Sequence, residues 1–269
     1  MSRIVFLGTC GDVQVLAKQL RSSGGFVLQT SRATLLIDPG PGALAGLALA
    51  GISVRDLTGI IVSQAHILHS HDTAAVIHAM TLAGQDKHGV LACSSQTLQS
   101  VSEFHRSCVE RVVQLESGKK FAFEDCDISC LPVIHEGGIG LLIQTSDVVI
   151  GFTGDTLYSK ELLKQHAGVD VLIVNTTFLE KPIGQHLCLA DAELLVEKIK
   201  PSLAILTHFG KNMLDHNPLY AARDLQNKLG FRVISAEDGL VIDPASYSAT
   251  SSQRTLSQFT LKKSESYGL

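Results

Sequence analysis

Histidines that could bind a metal ion follow an apolar run near the start of the chain. Ile60–Ser63 is β-branched and apolar, which predicts a short buried strand. His66 and His69 come directly after it, and imidazoles three residues apart in a turn can converge on one ion. The alanine-rich segment Thr73–Leu82 then has helical spacing, with Asp72 placed to cap it. The histidines therefore lie in a strand-to-helix loop. A polar loop with incidental histidines is the alternative interpretation.

This stretch resembles the His-x-His-x-Asp-His signature of the metallo-β-lactamase superfamily, which also follows a hydrophobic strand. Aligned on this chain, His66 and His69 match two of the ligand positions. Gln64 stands at the first histidine and Leu68 at the aspartate. A glutamine oxygen can still coordinate weakly or through water, whereas leucine cannot coordinate and removes a negative charge. His71 could act as a substitute donor or could simply face solvent.

Further segments resemble the remaining motifs of the superfamily, in the same order along the chain. Asp38 ends a strand in a rigid Pro-Gly turn and by resemblance supports the metal loop from behind. His135 follows a predicted strand at the place of the third metal histidine. Asp155, after the buried strand Val148–Phe152, resembles the aspartate that bridges two ions, with a helix cap as the alternative. His208, in Thr-His-Phe after another buried strand, resembles the last ligand.

The segment from Gly184 to Gly210 is similar to the branch of the superfamily that processes the 3′ end of transfer RNA. In that branch a loop histidine precedes a helix and acts near the leaving group, and His186 occupies this place. The metal ligands that the resemblance implies are His66, His69, His135, Asp155 and His208. The catalytic residues that it implies are His186 and Asp155.

The resemblance covers roughly residues 3–243 and implies an α/β fold, a four-layer αββα sandwich with the site along one edge between the sheets. It implies a hydrolase in which a metal-bound hydroxide attacks a phosphodiester or an ester. The cofactor would be one or two divalent ions, zinc by default, with manganese or iron as alternatives. The two replaced ligands favour a second hypothesis, a catalytically impaired member that binds or regulates. A metal or small-ligand sensor is the third.

Composition limits the other function classes. The chain has 269 residues, of which 45% are hydrophobic and 18% charged, enough for a substantial core. A net charge of −4 argues against a strongly basic nucleic-acid surface. Six scattered cysteines, no apparent signal peptide and no membrane-length apolar run predict a soluble, cytoplasmic protein with reduced thiols. We expect a small-molecule or phosphodiester substrate and no membrane partner, and a homodimer is left open.

The order of elements, strands then helices repeated twice, predicts two half-sandwiches within one domain over residues 1–244. Residues 245–269 are rich in Ser, Thr, Gln and Lys, and we expect a polar, mobile tail that could dock a partner. Helical periodicity runs through Ser94–Glu110 and again through Asn217–Leu229. Both segments are therefore predicted to be helical.

Overall fold

The protein is described by a computed structural model that covers residues 2–181 and 184–248. Within these ranges the strands are β1 (Arg3–Phe6), β2 (Phe26–Gln29), β3 (Thr34–Ile37), β4 (Gly59–Val62), β5 (Val90–Cys93), β6 (Arg111–Gln114), β7 (Lys120–Phe123), β8 (Cys126–Pro132), β9 (Ile139–Gln144), β10 (Val149–Phe152), β11 (Val171–Phe178), β12 (Leu187–Cys188), β13 (Leu203–Thr207), β14 (Val233–Ser235) and β15 (Val241–Ile242). The helices are α1 (Val13–Ala17), α2 (Ala43–Leu49), α3 (Ile67–Ser70), α4 (Thr73–Met80), α5 (Ser95–Ser100), α6 (Glu103–Cys108), α7 (Lys160–Gln165), α8 (Leu189–Ile199), α9 (Lys211–His216) and α10 (Pro218–Leu229).

The strands form two mixed sheets. The first has the order β15-β1-β2-β3-β4-β5-β6, and the second has the order β14-β13-β11-β10-β9-β8-β7 with β12 beside β11. One half of each sheet is parallel, from β3 to β6 in the first and from β10 to β14 in the second. Parallel neighbours need crossover connections, and helices supply most of them. The loops that follow parallel strands gather at one edge of a sheet, where α/β proteins place their chemistry.

Alternation along the strands divides the core into layers. On β1, Ile4 and Phe6 join the cluster between the sheets, whereas Val5 packs under α2 and α4. On β11, Ile173 joins the central cluster and Val174 packs under α8 and α10. The layers therefore run helix, sheet, sheet, helix. This confirms the four-layer α/β sandwich that the resemblance implied.

One of the two predicted helical segments is interrupted. Ser94–Glu110 is not one helix, because Val101 is extended and Ser102 caps a new helix, α6, by accepting from the backbone. The segment Asn217–Leu229 forms α10 as predicted, and a separate short helix, α9, precedes it. Asn217, with φ of 69°, separates the two helices and caps α10 with its side chain.

The end of the described chain continues the folded part. Pro244–Tyr247 forms a 3-10 turn, and Tyr247 packs against the central cluster with the guanidinium carbon of Arg232 5.6 Å from its ring centroid. Residues 249–269, on which most of the predicted tail falls, lie outside the described residues. No helix in the described ranges combines the length and apolar character needed to cross a bilayer. The six cysteines are buried free thiols.

The loop after β1 meets the loop after β13. Cys10 pairs with Phe209 in an isolated parallel bridge, and the Phe209 N–H donates to the Thr9 carbonyl at 2.7 Å. Asp12 joins the same two loops, because one carboxylate oxygen caps α1 while the other accepts from the Lys211 N–H at the start of α9. The residues that directly follow His208 are therefore held by the beginning of the fold.

Candidate functional site

Asp38 holds the histidine loop from behind. It follows β3 in the left-handed backbone region, with φ of 56°. Its oxygens accept the Ser63 N–H at 2.6 Å and the Ser63 hydroxyl at 2.7 Å. Its Oδ2 also lies 2.9 Å from Nδ1 of His69. A carboxylate on one ring nitrogen fixes the orientation of the imidazole and leaves Nε2 for the site, as is common for metal-binding histidines.

The side chains of Asp155, His69 and His208 form a buried group, which we call the inner cluster. His69 Nε2 lies 3.1 Å from Asp155 Oδ2, and His208 Nε2 lies 3.4 Å from Asp155 Oδ1. Asp155 follows β10, whereas His208 follows β13 with φ of 60°. Two donors on one tetrahedral zinc ion, each at about 2.0–2.1 Å, lie about 3.3 Å apart. The spacing of the inner cluster therefore fits a single divalent ion.

His135 and His186 approach Asp155 from the solvent side, and we call these three residues the outer cluster. The rings of the two histidines are 5.4 Å apart, and His186 Nδ1 lies 3.8 Å from Asp155 Oδ2. In each cluster the potential ligand atoms all lie within 4.8 Å of one another. Among the described residues, the buried Nδ1 of His186 has no hydrogen-bond partner. Buried polar atoms are rarely left unpaired, so this nitrogen also fits a metal ligand.

His66 is predicted to be a ligand, but its side chain joins neither cluster. It is exposed and occupies the N-cap of α3, where its Nδ1 accepts from the Leu68 N–H at 3.4 Å. His71 also faces solvent and lies 2.9 Å from Asp72 Oδ1. Asp72 does not cap α4 with its side chain, contrary to the prediction. It accepts instead from two backbone N–H groups at the start of α2, which lies nearby in space.

The replaced signature residues are both buried. Leu68 packs with Cys10 and Val15, away from any coordinating role. The amide nitrogen of Gln64 donates to Asp155 Oδ2 at 2.6 Å. Gln64 therefore touches the shared carboxylate as a hydrogen-bond donor.

Asn175 is a site residue that the sequence analysis missed. It is buried on β11, and its amide nitrogen donates to Asp155 Oδ1 at 2.7 Å. The available signal was its position near the end of a buried strand, since parallel β10, β11 and β13 deliver Asp155, Asn175 and His208 to the same edge. Asp155 is thus held by two amides as well as by histidines.

The electrostatics of the site centre on Asp155. Burial opposes its ionisation, but His208 and His69 outweigh burial and hold the pKa of Asp155 well below its ordinary value. Burial also opposes charge on His69, yet the carboxylates of Asp155 and Asp38 raise the pKa of His69 to about 10. The two carboxylates therefore favour the charged form of His69, whereas burial lowers the pKa of His186.

A cavity of about 30 Å³ adjoins the inner cluster between the sheets. Asp38, His69 and Asn175 contribute to its polar wall, and Phe26 and Phe152 to its apolar wall. This volume can hold about one water molecule.

Comparisons with known proteins identify the family. The family model described as a beta-lactamase superfamily domain matches residues 33–209. The uncharacterized protein MJ1374 of Methanocaldococcus jannaschii is 31% identical over 252 residues, which cover 89% of this chain and 94% of that protein. Both matches span most of the chain, and the family model includes the residues of the two clusters.

Solved structures have the same architecture. YhfI from Bacillus subtilis, a metallo-β-lactamase fold protein, has a TM-score of 0.75 and 16% identity, covering 90% of this chain and 98% of its own. A diphosphatase of the PhnP family has a TM-score of 0.68 and 17% identity, covering 90% and 97%. The short form of human tRNase Z has a TM-score of 0.68 and 17% identity, covering 90% and 98%. The sequence match and the shared fold agree, and the chain therefore belongs to the metallo-β-lactamase superfamily.

Proposed function

We propose that the protein is a metal-dependent hydrolase that acts on a phosphodiester or an ester. The observation that carries the proposal is the convergence of four histidines on Asp155 in two overlapping groups, each with the spacing of a metal site. A divalent ion, by preference zinc for imidazole and carboxylate donors, would supply Lewis-acid polarisation and water activation here.

Different residues would hold the metal ion and admit the substrate. His69, His208 and Asp155 form the buried holding group, and Asp38 orients His69 through its Nδ1. His135 and His186 are half-buried whereas Asp155 is buried, so a substrate would approach from the side of these two histidines. The resemblance assigns His186 a role near the leaving group, on this accessible side.

Two of the structural neighbours favour a phosphate ester over other substrates. By their names, one is a diphosphatase and the other a transfer-RNA nuclease. The net charge of −4 gives no support to a large nucleic-acid surface, so we favour a small phosphodiester over a long RNA.

A catalytically impaired binding protein is the second candidate function. Leu68 removes an expected carboxylate and is buried among apolar neighbours. The amides of Gln64 and Asn175 each satisfy one oxygen of Asp155 without a metal ion. A site stabilised in this way could bind a ligand without catalysing hydrolysis.

Metal content per chain, measured on protein purified without chelator, tests the proposal first. We expect one or two ions in the wild type and in the control His216→Ala, which changes an exposed histidine of α9, and fewer in His208→Ala. Metal-loaded protein should then hydrolyse bis(p-nitrophenyl) phosphate or p-nitrophenyl acetate. Metal binding without hydrolysis of either class would favour the binding protein. Absence of metal after incubation with zinc or manganese would exclude the hydrolase.

A further inference from the structure

One half of the implied metal site lacks its expected imidazoles. By resemblance, positions 64, 66 and 135 would serve the first ion together with Asp155. Gln64 instead donates an amide hydrogen to Asp155, and His66 caps α3. Only His135 and Asp155 stay in place, which is one donor short of the three that a catalytic zinc site needs.

We propose that His186 is a metal ligand and replaces the missing imidazole, so that His135, His186 and Asp155 bind one divalent ion. This inference rests on the proposed function, because it assigns a ligand within the same metal site. It changes the role of His186 from a group near the leaving group to one that holds the ion.

Distances support the exchange of roles. His186 Nδ1 lies 3.8 Å from Asp155 Oδ2, close to the spacing of about 3.3 Å expected for two donors on one zinc ion. In the outer cluster, as in the inner one, the potential ligand atoms all lie within 4.8 Å of one another. No comparable group includes His66 among the described residues.

The orientation of the ring supports a ligand more than a proton donor. A donor to a leaving group must present a protonated nitrogen to the substrate. Nδ1 of His186 is buried toward Asp155 and has no hydrogen-bond partner in the described part of the chain. A metal ion between this nitrogen and the carboxylate would give the nitrogen the partner that it lacks.

The backbone on either side holds His186 in place. Gln185 accepts the Glu136 N–H through its side-chain oxygen at 3.1 Å, which joins the loop of His186 to the loop of His135. On the other side, Leu187 pairs with Thr176 as β12 adds to β11. The Phe178 ring also lies 5.8 Å from the His186 ring. A ligand fixed by its neighbours in this way loses little freedom when it binds.

With His186 as a ligand, the inner and outer clusters each have three donors and share Asp155. Two ions can then be held although Gln64 and Leu68 replace two signature ligands. The inference therefore predicts two zinc ions per chain, one of which depends on His186.

Cobalt binding to cysteine variants gives a positive test that needs no enzyme assay. A thiolate that coordinates Co²⁺ produces a sulfur-to-metal charge-transfer absorption band, and thiolates are good ligands for such ions. We expect this band when Co²⁺ is added to His186→Cys and not when it is added to His66→Cys or to the wild type. Zinc titration should also show that His186→Ala binds one ion fewer per chain than the wild type, whereas His66→Ala keeps the wild-type number.

The outcomes separate this inference from the proposed function. If the wild type binds metal but His186→Cys gives no band and His186→Ala keeps every ion, the ligand role is overturned and the hydrolase proposal stands. A band from His66→Cys alone would also overturn it and would restore the ligand set of the resemblance. If the wild type binds neither cobalt nor zinc, both proposals fail. Thermal melting of each variant shows that the fold is retained.

Discussion

The inner and outer clusters share one carboxylate but are built in different ways. In the inner cluster, His208 follows β13, and His69 lies in α3 after β4, where Asp38 contacts its Nδ1. Both histidines are buried, with 2% exposure for His69 and 8% for His208. The outer histidines, His135 and His186, stand on loops and are half-buried. The inner group therefore suits tight retention of an ion, and the outer group suits exchange and contact with a substrate.

The two positions at which signature ligands are replaced, Leu68 and Gln64, differ in the same way. Leu68 lies by the inner cluster, where a packed apolar side chain replaces a charge. Gln64 contacts the shared carboxylate and remains polar. The inner cluster therefore lacks the carboxylate expected at position 68 but keeps Asp38 behind His69. The outer cluster keeps a polar side chain at position 64 and uses His186 as a ligand in place of an imidazole there.

The largest expected effect comes from Asp155→Asn, because both clusters use this carboxylate. We expect loss of every bound ion. Asparagine keeps only one side-chain oxygen, so one of the two amide donors, Gln64 or Asn175, would also lose its acceptor, at a cost of about 1–3 kcal/mol in the free energy of unfolding. Metal analysis and urea unfolding measure the two effects, with the exposed Asp147→Asn as control. Retention of a full ion in Asp155→Asn would contradict the shared-carboxylate model.

Leu68→Asp should destabilise the metal-free protein by about 2–5 kcal/mol, because it removes a packed leucine and buries a charge. Added zinc should recover part of this loss, since the new carboxylate would lie by the inner cluster and binding stabilises the folded state. Thermal melting with and without zinc measures the recovery. The uncharged Leu68→Asn is the matched control. Equal zinc shifts in both variants would show that the position does not reach the ion.

Asp38→Ala should weaken the inner ion and spare the outer one. Removal of a carboxylate that orients a metal histidine typically lowers metal affinity by about 10–100-fold. Competition with a chelator would then show one weakened and one unchanged zinc ion. Ser63→Ala is the control, because it removes a neighbour of Asp38 but leaves the contact between Asp38 and His69. Equal weakening of both ions would remove the distinction between the clusters.

The stability of the metal-free protein should fall as pH rises from about 6.5 toward 10. In the folded protein the pKa of His69 is raised to about 10 from its ordinary value of 6.5. The stabilisation by the charged imidazole is complete below the lower value and is lost as pH passes through the higher one. Urea unfolding across this range measures the trend. The His69→Gln variant should show a flatter profile, and an identical slope would assign the trend to other groups.

The smallest effect is expected for His71→Ala. This histidine is solvent-exposed and contacts Asp72, outside both clusters. Zinc stoichiometry and affinity should match those of the wild type. A loss of zinc would mean that His71 moves into the site as a substitute donor.

Residues that follow buried strands were the predictable part of the site. Asp155 and His208 come together as the order of elements indicated, because the parallel strands β10, β11 and β13 deliver their ends to a common edge. His135 reaches Asp155 from β8, which belongs to the antiparallel part of the same sheet. The roles of His66 and Asn175 were not predictable. The first depends on α3 beginning within the loop, and the second on how β10 and β11 align. Neither the start of a four-residue helix nor the register between distant strands can be predicted from a local sequence pattern.

The fold likewise has some features that could be predicted from the sequence and others that could not. The sandwich follows from the family pattern and from alternating apolar strands, whereas the break at Val101 depends on a local serine cap competing with helical periodicity. Asp72 was correctly predicted to stand at the start of a helix, α4. Its carboxylate, however, accepts from backbone N–H groups at the start of α2. Contacts between elements far apart in sequence decide such cases.

The meeting of the loops after β1 and β13 has a consequence for synthesis of the protein. Asp12 and Lys211 are 199 positions apart, and His208 lies between Thr207 and the bridge from Phe209 to Cys10. A growing chain on the ribosome thus cannot complete the inner cluster until its last parallel strands have emerged. Such distant pairings favour slow, late assembly. Metal loading at the inner cluster should accordingly follow emergence of β13 and His208, and nascent chains that end before His208 should hold no ion there.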